Sequence, residues 1–125
     1  MDMDTSRYLF RGKQLTTGEW AIGYLVTELS HSMKLRVPKI VDVKSGIATE
    51  VYIQTVGQCT GLEDKYGKLI FEDDTVFITR KTTSYTTEGS VEWRDHKWLI
   101  ARESAEWVSQ HYLVEVVGNV HELKN

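Results

Sequence analysis

Residues 58–76 read Gln-Cys-Thr-Gly-Leu-Glu-Asp-Lys-Tyr-Gly-Lys-Leu-Ile-Phe-Glu-Asp-Asp-Thr-Val. No other stretch restricts the fold as much, because it holds two turn signals and two short apolar strand segments. Asp64-Lys65-Tyr66-Gly67 places aspartate at the first and glycine at the last position of a tight turn. Lys68-Leu69-Ile70-Phe71 then leads to a second bend at Glu72-Asp73-Asp74, and a strand follows over 76–80.

The rest of the chain reads the same way. Residues 7–11 predict a short strand, 12–18 a polar turn, and 20–27 an aromatic, branched strand that completes a hairpin. Residues 28–34 fit either one helical turn, with Leu29 and Met33 on one side, or a loop. A strand over 37–43 carries the single proline, Pro38, which belongs at a strand start or on an edge. Lys44-Ser45-Gly46 is a turn, and 50–56 alternate as a strand does. Residues 81–89, rich in Thr and Ser, predict a long connection. Residues 91–101 predict a hairpin that sets Trp93 opposite Trp98, around either a two-residue Asp95-His96 turn or a longer loop from Arg94 to Lys97. A short helix over 104–110, capped by Ser104, would put Trp107 and His111 on one face. A last strand covers 113–120, and the tail from Glu122 is polar and expected to fray. The fold class is therefore mainly β, a β-rich α+β protein.

At 125 residues the chain makes one domain over 1–125, with any division into lobes falling at 1–56 and 57–125. A formal net charge of −3 argues against a broadly basic nucleic-acid or membrane-surface protein. No apolar run reaches the ~18 residues of a membrane span. The opening Met1-Asp2-Met3-Asp4-Thr5-Ser6 is acidic where a signal peptide is basic and then apolar. The single cysteine, Cys59, excludes an internal disulfide framework. The expected location is the cytoplasm, with no membrane contact.

Candidate chemistry is sparse. His31, His96, His111 and His121 are scattered, without the close ligand pairs of a zinc site. Cys59 as a nucleophile would need a histidine in contact. The carboxylates Glu63, Asp64, Glu72, Asp73 and Asp74, with a Glu-x-Lys fragment at 63–65, suggest a Mg²⁺-dependent nuclease only if they converge; turn chemistry explains Asp64 and Asp73 without a metal. No glycine-rich phosphate loop is present. The first third interleaves Arg7, Arg11, Lys13, Lys34, Arg36 and Lys39 with Tyr8, Phe10, Trp20 and Tyr24. Basic residues among aromatics can hold single-stranded nucleic acid on a sheet, or a protein partner. Arg7, Arg11, Lys13, Trp20 and Tyr24 are the contact candidates. No catalytic residue, metal ligand or cofactor is expected.

The run at 58–76 resembles the YopX family, small proteins of bacteriophages and prophages. Gln58, Thr60, Gly61, Leu62, Asp64, Lys65, Gly67, Lys68, Ile70, Glu72, Asp74 and Val76 keep its pattern. Arg7-Tyr8-Leu9-Phe10-Arg11-Gly12, Gly89-Ser90-Val91-Glu92-Trp93 and 114–122 are similar to three further blocks. Cys59 replaces a usual tyrosine, and Asp73 a usual glycine. If that position needs positive φ, aspartate is among the better substitutes, at a cost of about 1 kcal/mol. The resemblance implies two small lobes with an SH3-like barrel element in the second, and self-association. It implies no activity and no catalytic residues. The resulting expectation is a non-enzymatic, homo-oligomeric protein-interaction module of phage or prophage origin, acting on a phage or host protein in the bacterial cytoplasm. Nucleic-acid binding by the first third is the alternative, and a metal-dependent nuclease a third reading.

Overall fold

The computed structural model describes residues 5–29 and 35–122. It is mainly β, with antiparallel strands and one short α-helix. The chain divides into two units, Met1–Cys59 and Thr60–Asn125, and each has its own apolar core.

In the first unit, β1 (Phe10–Lys13) and β2 (Trp20–Leu29) form a hairpin with Phe10 opposite Gly23 and Lys13 opposite Trp20. β3 (Arg36–Asp42) pairs with β2, and β4 (Ala48–Glu50) with β3. On the other side of β1, Phe10 and Arg11 face Gln58 and Gly57 at the start of β5 (Gly57–Glu63). Because side chains alternate along a strand, Phe10, Ala21, Leu25 and Ile40 meet on one face, and with Val51 and Val56 they make this core. Gly12 sits on that face because a Cβ there would lie 3.0 Å from the Val51 side chain. Pro38 is tolerated inside β3 because Val51 donates to its carbonyl at 3.2 Å. Its missing N–H thus faces Val51, just beyond the end of β4. The reversal from β3 to β4 is held by Asp42, whose carboxylate accepts the amides of Lys44 and Ser45, both at 2.8 Å.

In the second unit, residues 60–63 of β5 neighbour β6 (Leu69–Phe71) across the turn at 64–67. β7 (Asp74–Arg80), β8 (Thr86–Arg94), β9 (Lys97–Ile100), β10 (Glu103–Ser104), α1 (Ala105–His111) and β11 (Tyr112–Asn119) follow. The larger sheet runs β10-β9-β8-β7-β11. Val76, Ile78, Val91, Ile100 and Val114 meet Ile70 and Val108 in the core. Asp95 and His96 both have positive φ, 54° and 63°, which makes the two-residue turn of a twisted hairpin. Trp93 and Trp98 face each other across it, rings 5.1 Å apart and edge to face. The expected mainly β class is met. No pairing among the described residues closes a sheet into a barrel.

Several expected elements differ. Residues 6–8 wind into a 3-10 turn and β1 starts at Phe10. The alternating 50–56 segment is strand only at Glu50, with Val51 bridged to Gln14; Ile53–Thr55 is a 3-10 turn. The Thr55 hydroxyl accepts the Lys13 amide at 2.8 Å and donates to the Tyr52 carbonyl at 2.6 Å. Such local side-chain bonding competes with a ladder and wins here. The long connection over 81–89 is short, because β8 already begins at Thr86. The helix starts at Ala105 with Ser104 at the expected cap position, but the Ser104 side chain makes no capping hydrogen bond. Of the ambiguous 28–34 segment, Glu28 and Leu29 belong to β2. Residues 30–34, the polar start at 1–4 and the tail from 123 lie outside the described residues.

Candidate functional site

The face of the first sheet opposite its core carries the candidate contact residues. The register places Arg11 opposite Ile22 and Lys13 opposite Trp20, so these four side chains leave the sheet on one side. Tyr24, two residues further along β2, shares that side. The Arg11 guanidinium lies 4.4 Å from the Trp20 ring centroid, and the Lys13 ammonium 5.3 Å from it. Both are within cation–π range, so two cations lie against the indole. Arg11 is buried, 7% exposed, while Ile22 and Tyr24 are 39% and 42% exposed. Beside them, Glu28 accepts from Lys39 Nζ at 2.8 Å and holds that ammonium above the ordinary lysine range. Arg7 does not join this group. It sits in the 3-10 turn, over its neighbour Tyr8 at 5.4 Å.

The five carboxylates of the 63–74 run do not converge. Asp64 accepts the amides of Tyr66 and Lys68, each at 2.9 Å, and of Val116 at 3.0 Å. Burial pushes its carboxyl up, but these three donors outweigh that and hold it below the ordinary aspartate range. Asp74 is fully buried and takes the Phe71 amide at 2.7 Å and the Asn119 amide group at 3.4 Å. Asp73 adopts φ 68° and meets His121 Nε2 at 2.9 Å. Asp64 thus serves the first bend, and Asp73 and Asp74 the second. Among the described residues no group of three His, Cys, Asp or Glu side chains is placed to hold a metal ion. The convergence that a nuclease reading requires is absent there. Cys59 is 1% exposed, with its amide bonded to the Leu9 carbonyl at 2.8 Å.

A family model described as YopX protein matches residues 9–124. The chain belongs to the YopX family. No curated protein and no solved structure matches it. The YopX assignment agrees with the bends at 64–67 and 72–73, and Asp73, which stands where the family resemblance places glycine, indeed has positive φ.

Sequence reasoning missed two features of the second unit. Arg80, Trp107, His111 and Tyr112 form one cluster: Trp107 stacks on His111 at 4.6 Å, and Arg80 lies 5.8 Å and 5.7 Å from the Trp107 and Tyr112 rings. The helical spacing of Trp107 and His111 was visible, whereas the pairing of Arg80 with Tyr112 depends on the β7–β11 register. Tyr112 also lines two cavities, of about 460 and 190 Å³. No helix of the described residues is long and apolar enough to cross a membrane.

Proposed function

We propose that this YopX-family chain is a non-enzymatic binding module that self-associates through the Arg11–Lys13–Trp20–Ile22–Tyr24 face of its first unit. The observation that carries this reading is an exposed aromatic and apolar strip on the side of the sheet away from the core, with two cations against Trp20. Trp, Tyr and Arg supply large contact area at low entropy cost and dominate the energetics of protein interfaces. The chain's net charge of −3 and the Lys39–Glu28 pair beside the strip favour a protein over a polyanion. A phage- or prophage-encoded accessory role in the bacterial cytoplasm is part of this proposal and rests on the family alone.

Light scattering on a size-exclusion column tests it. A species heavier than the 14.4 kDa chain at micromolar concentration is expected, and Trp20→Ala with Tyr24→Ala should shift it to monomer. A wild-type monomer at that concentration defeats the reading. The second reading, single-stranded nucleic acid on the same face, is favoured by Arg11 and Lys13 lying beside Trp20 and Tyr24. It requires a gel shift at low salt that fades as salt rises.

A further inference from the structure

We propose that the uncovered edge of β8 at residues 86–89 is a docking strand for an extended, basic peptide segment of another protein. This site lies wholly in the second unit and does not rest on the self-association face.

β8 is nine residues long, but β9 accompanies only part of it. Val91 to Arg94 pair with Ile100 to Lys97, and the Ala101 amide donates to the Ser90 carbonyl at 3.0 Å. There the neighbouring chain turns back: Ala101 and Arg102 take φ 52° and 69°, and Glu103 returns opposite Ile100. Two consecutive non-glycine residues in the left-handed region each carry a cost of roughly 1–2 kcal/mol. The chain tolerates that strain to leave β8 at this point. Gly89 makes the reversal fit, because a Cβ there would lie 2.4 Å from the Ala101 Cβ.

Ladder parity shows what β8 offers. The Arg80 and Asp73 amides donate to the Tyr85 and Val91 carbonyls, so odd-numbered residues turn their backbone groups toward β7. Even-numbered residues turn the other way, as Ser90 does toward Ala101. Thr86 and Glu88 therefore aim N–H and C=O at the open edge. Thr86, Thr87 and Glu88 are all exposed. The 460 Å³ cavity runs along this edge, bounded by Ile78, Gly89, Ala101, Arg102 and Tyr112. The far edge of the same sheet is treated differently. On β11, the Val114 carbonyl accepts the Lys65 amide at 2.8 Å and the Val116 amide donates to the Asp64 carboxylate at 3.0 Å. Among the described residues, the protein covers one edge with its own chain and leaves the other open.

An extended segment added here would gain main-chain hydrogen bonds from Thr86 and Glu88, with side chains alternating between the two faces. A residue opposite Glu88 shares its face, so a Lys or Arg there meets the Glu88 carboxylate. The Glu88 side chain leaves the sheet on the outer face, beside Phe77, and takes part in no ion pair among the described residues, while Arg102 and Glu103 at the cavity cancel in charge. Flanking residues would point toward Ile78, between Ala101 and Tyr112. A second copy docking through the same edge would pair Thr86 with Glu88 and bring no cation to either Glu88 carboxylate. The fitting occupant is a basic strand from a different protein.

The test uses the full chain and a fluorescein-labelled, cyclised hairpin peptide that presents Thr-Val-Lys-Val-Thr as a preformed strand, compared with the same peptide carrying Glu for Lys. Cyclisation reduces the ordering cost of binding. The Lys peptide should bind at least about tenfold more tightly than the Glu peptide, a difference near 1.4 kcal/mol. Glu88→Pro removes the outward N–H without removing a β7 ladder donor, and should abolish binding while leaving the unfolding midpoint and oligomeric state close to wild type. Glu88→Gln, which cannot disturb the backbone, should bring the two peptides to similar affinity. Equal binding of both peptides to wild type, no binding of either, or loss of the Lys preference in neither Glu88 variant overturns the proposal. Trp20→Ala with Tyr24→Ala should leave peptide affinity unchanged.

Discussion

Asp64 and Val116 are joined by a 3.0 Å hydrogen bond across fifty-two residues of sequence, carboxylate to backbone amide. The same carboxylate holds the turn amides of Tyr66 and Lys68. One side chain thus closes a local bend and caps the edge of β11.

Removing it leaves buried donors without acceptors, at about 1–3 kcal/mol for each group so stranded. Asp64→Ala should destabilise the protein by about 2–4 kcal/mol, since water reaches part of the turn. Urea unfolding followed by tryptophan fluorescence measures this, and a loss below about 1 kcal/mol would contradict the assigned role.

The same bonds set an acid limb. The Asp64 carboxyl is held below its ordinary range, as is that of Asp42, where the Ser45 and Lys44 amides are the cause. A depressed carboxyl contributes stability that is present above its unfolded value, near pH 4, and is lost as pH falls through the folded value. Stability should therefore decline below about pH 4. Asp64→Asn should flatten part of that decline while lowering stability at pH 7. Thermal melts from pH 7 to pH 2.5 resolve the difference.

The turn at Asp95 and His96 uses positive φ at both positions without glycine. Replacing the pair with Asn-Gly matches the preferred chemistry of that turn. The variant should gain about 0.5–1 kcal/mol, read as a raised denaturant midpoint with unchanged slope.

Asp73 faces two opposing effects. Its φ of 68° favours glycine, while its carboxylate pairs with His121 at 2.9 Å. Asp73→Gly should stay within about 1 kcal/mol of wild type, because relief of strain offsets loss of the pair. Asp73→Ala keeps the strain and loses the pair, so it should be clearly the less stable of the two in calorimetry.

Gly89 admits no side chain. Its built Cβ would meet Ala101 Cα at 2.7 Å as well as the Ala101 Cβ, and backbone cannot swing aside. Gly89→Ala should cost about 2–3 kcal/mol or more, in line with overpacking. Calorimetry showing an unchanged melting temperature would mean that the β9–β10 reversal moves freely.

Local turn chemistry was the legible part of this fold. Aspartate at 64, glycine at 67 and the bend at 72–73 act through their own neighbours, so short-range preference identified them. The Trp93–Trp98 pairing was legible for the same reason, since a hairpin fixes its register within a few residues. Residues 50–56 misled because alternation reports exposure and not pairing; Thr55 hydrogen-bonds Lys13 from forty-two positions away. In the candidate face, Arg11, Lys13, Trp20 and Tyr24 were found by composition, and the β1–β2 register then brought them together. Arg7 was included by proximity in sequence and lies elsewhere. The open edge of β8 had no sequence signature, because it is defined by where another strand stops.

The Asp64–Val116 bond also has a timing. Val116 is made fifty-two residues after Asp64, a delay of roughly 3–10 seconds at ordinary translation rates. Until β11 has been made, β7 lacks its partner, and Val76 and Ile78 lack the Val114 side chain that joins them in the core. The core of the second unit therefore cannot close before β11 has been synthesised.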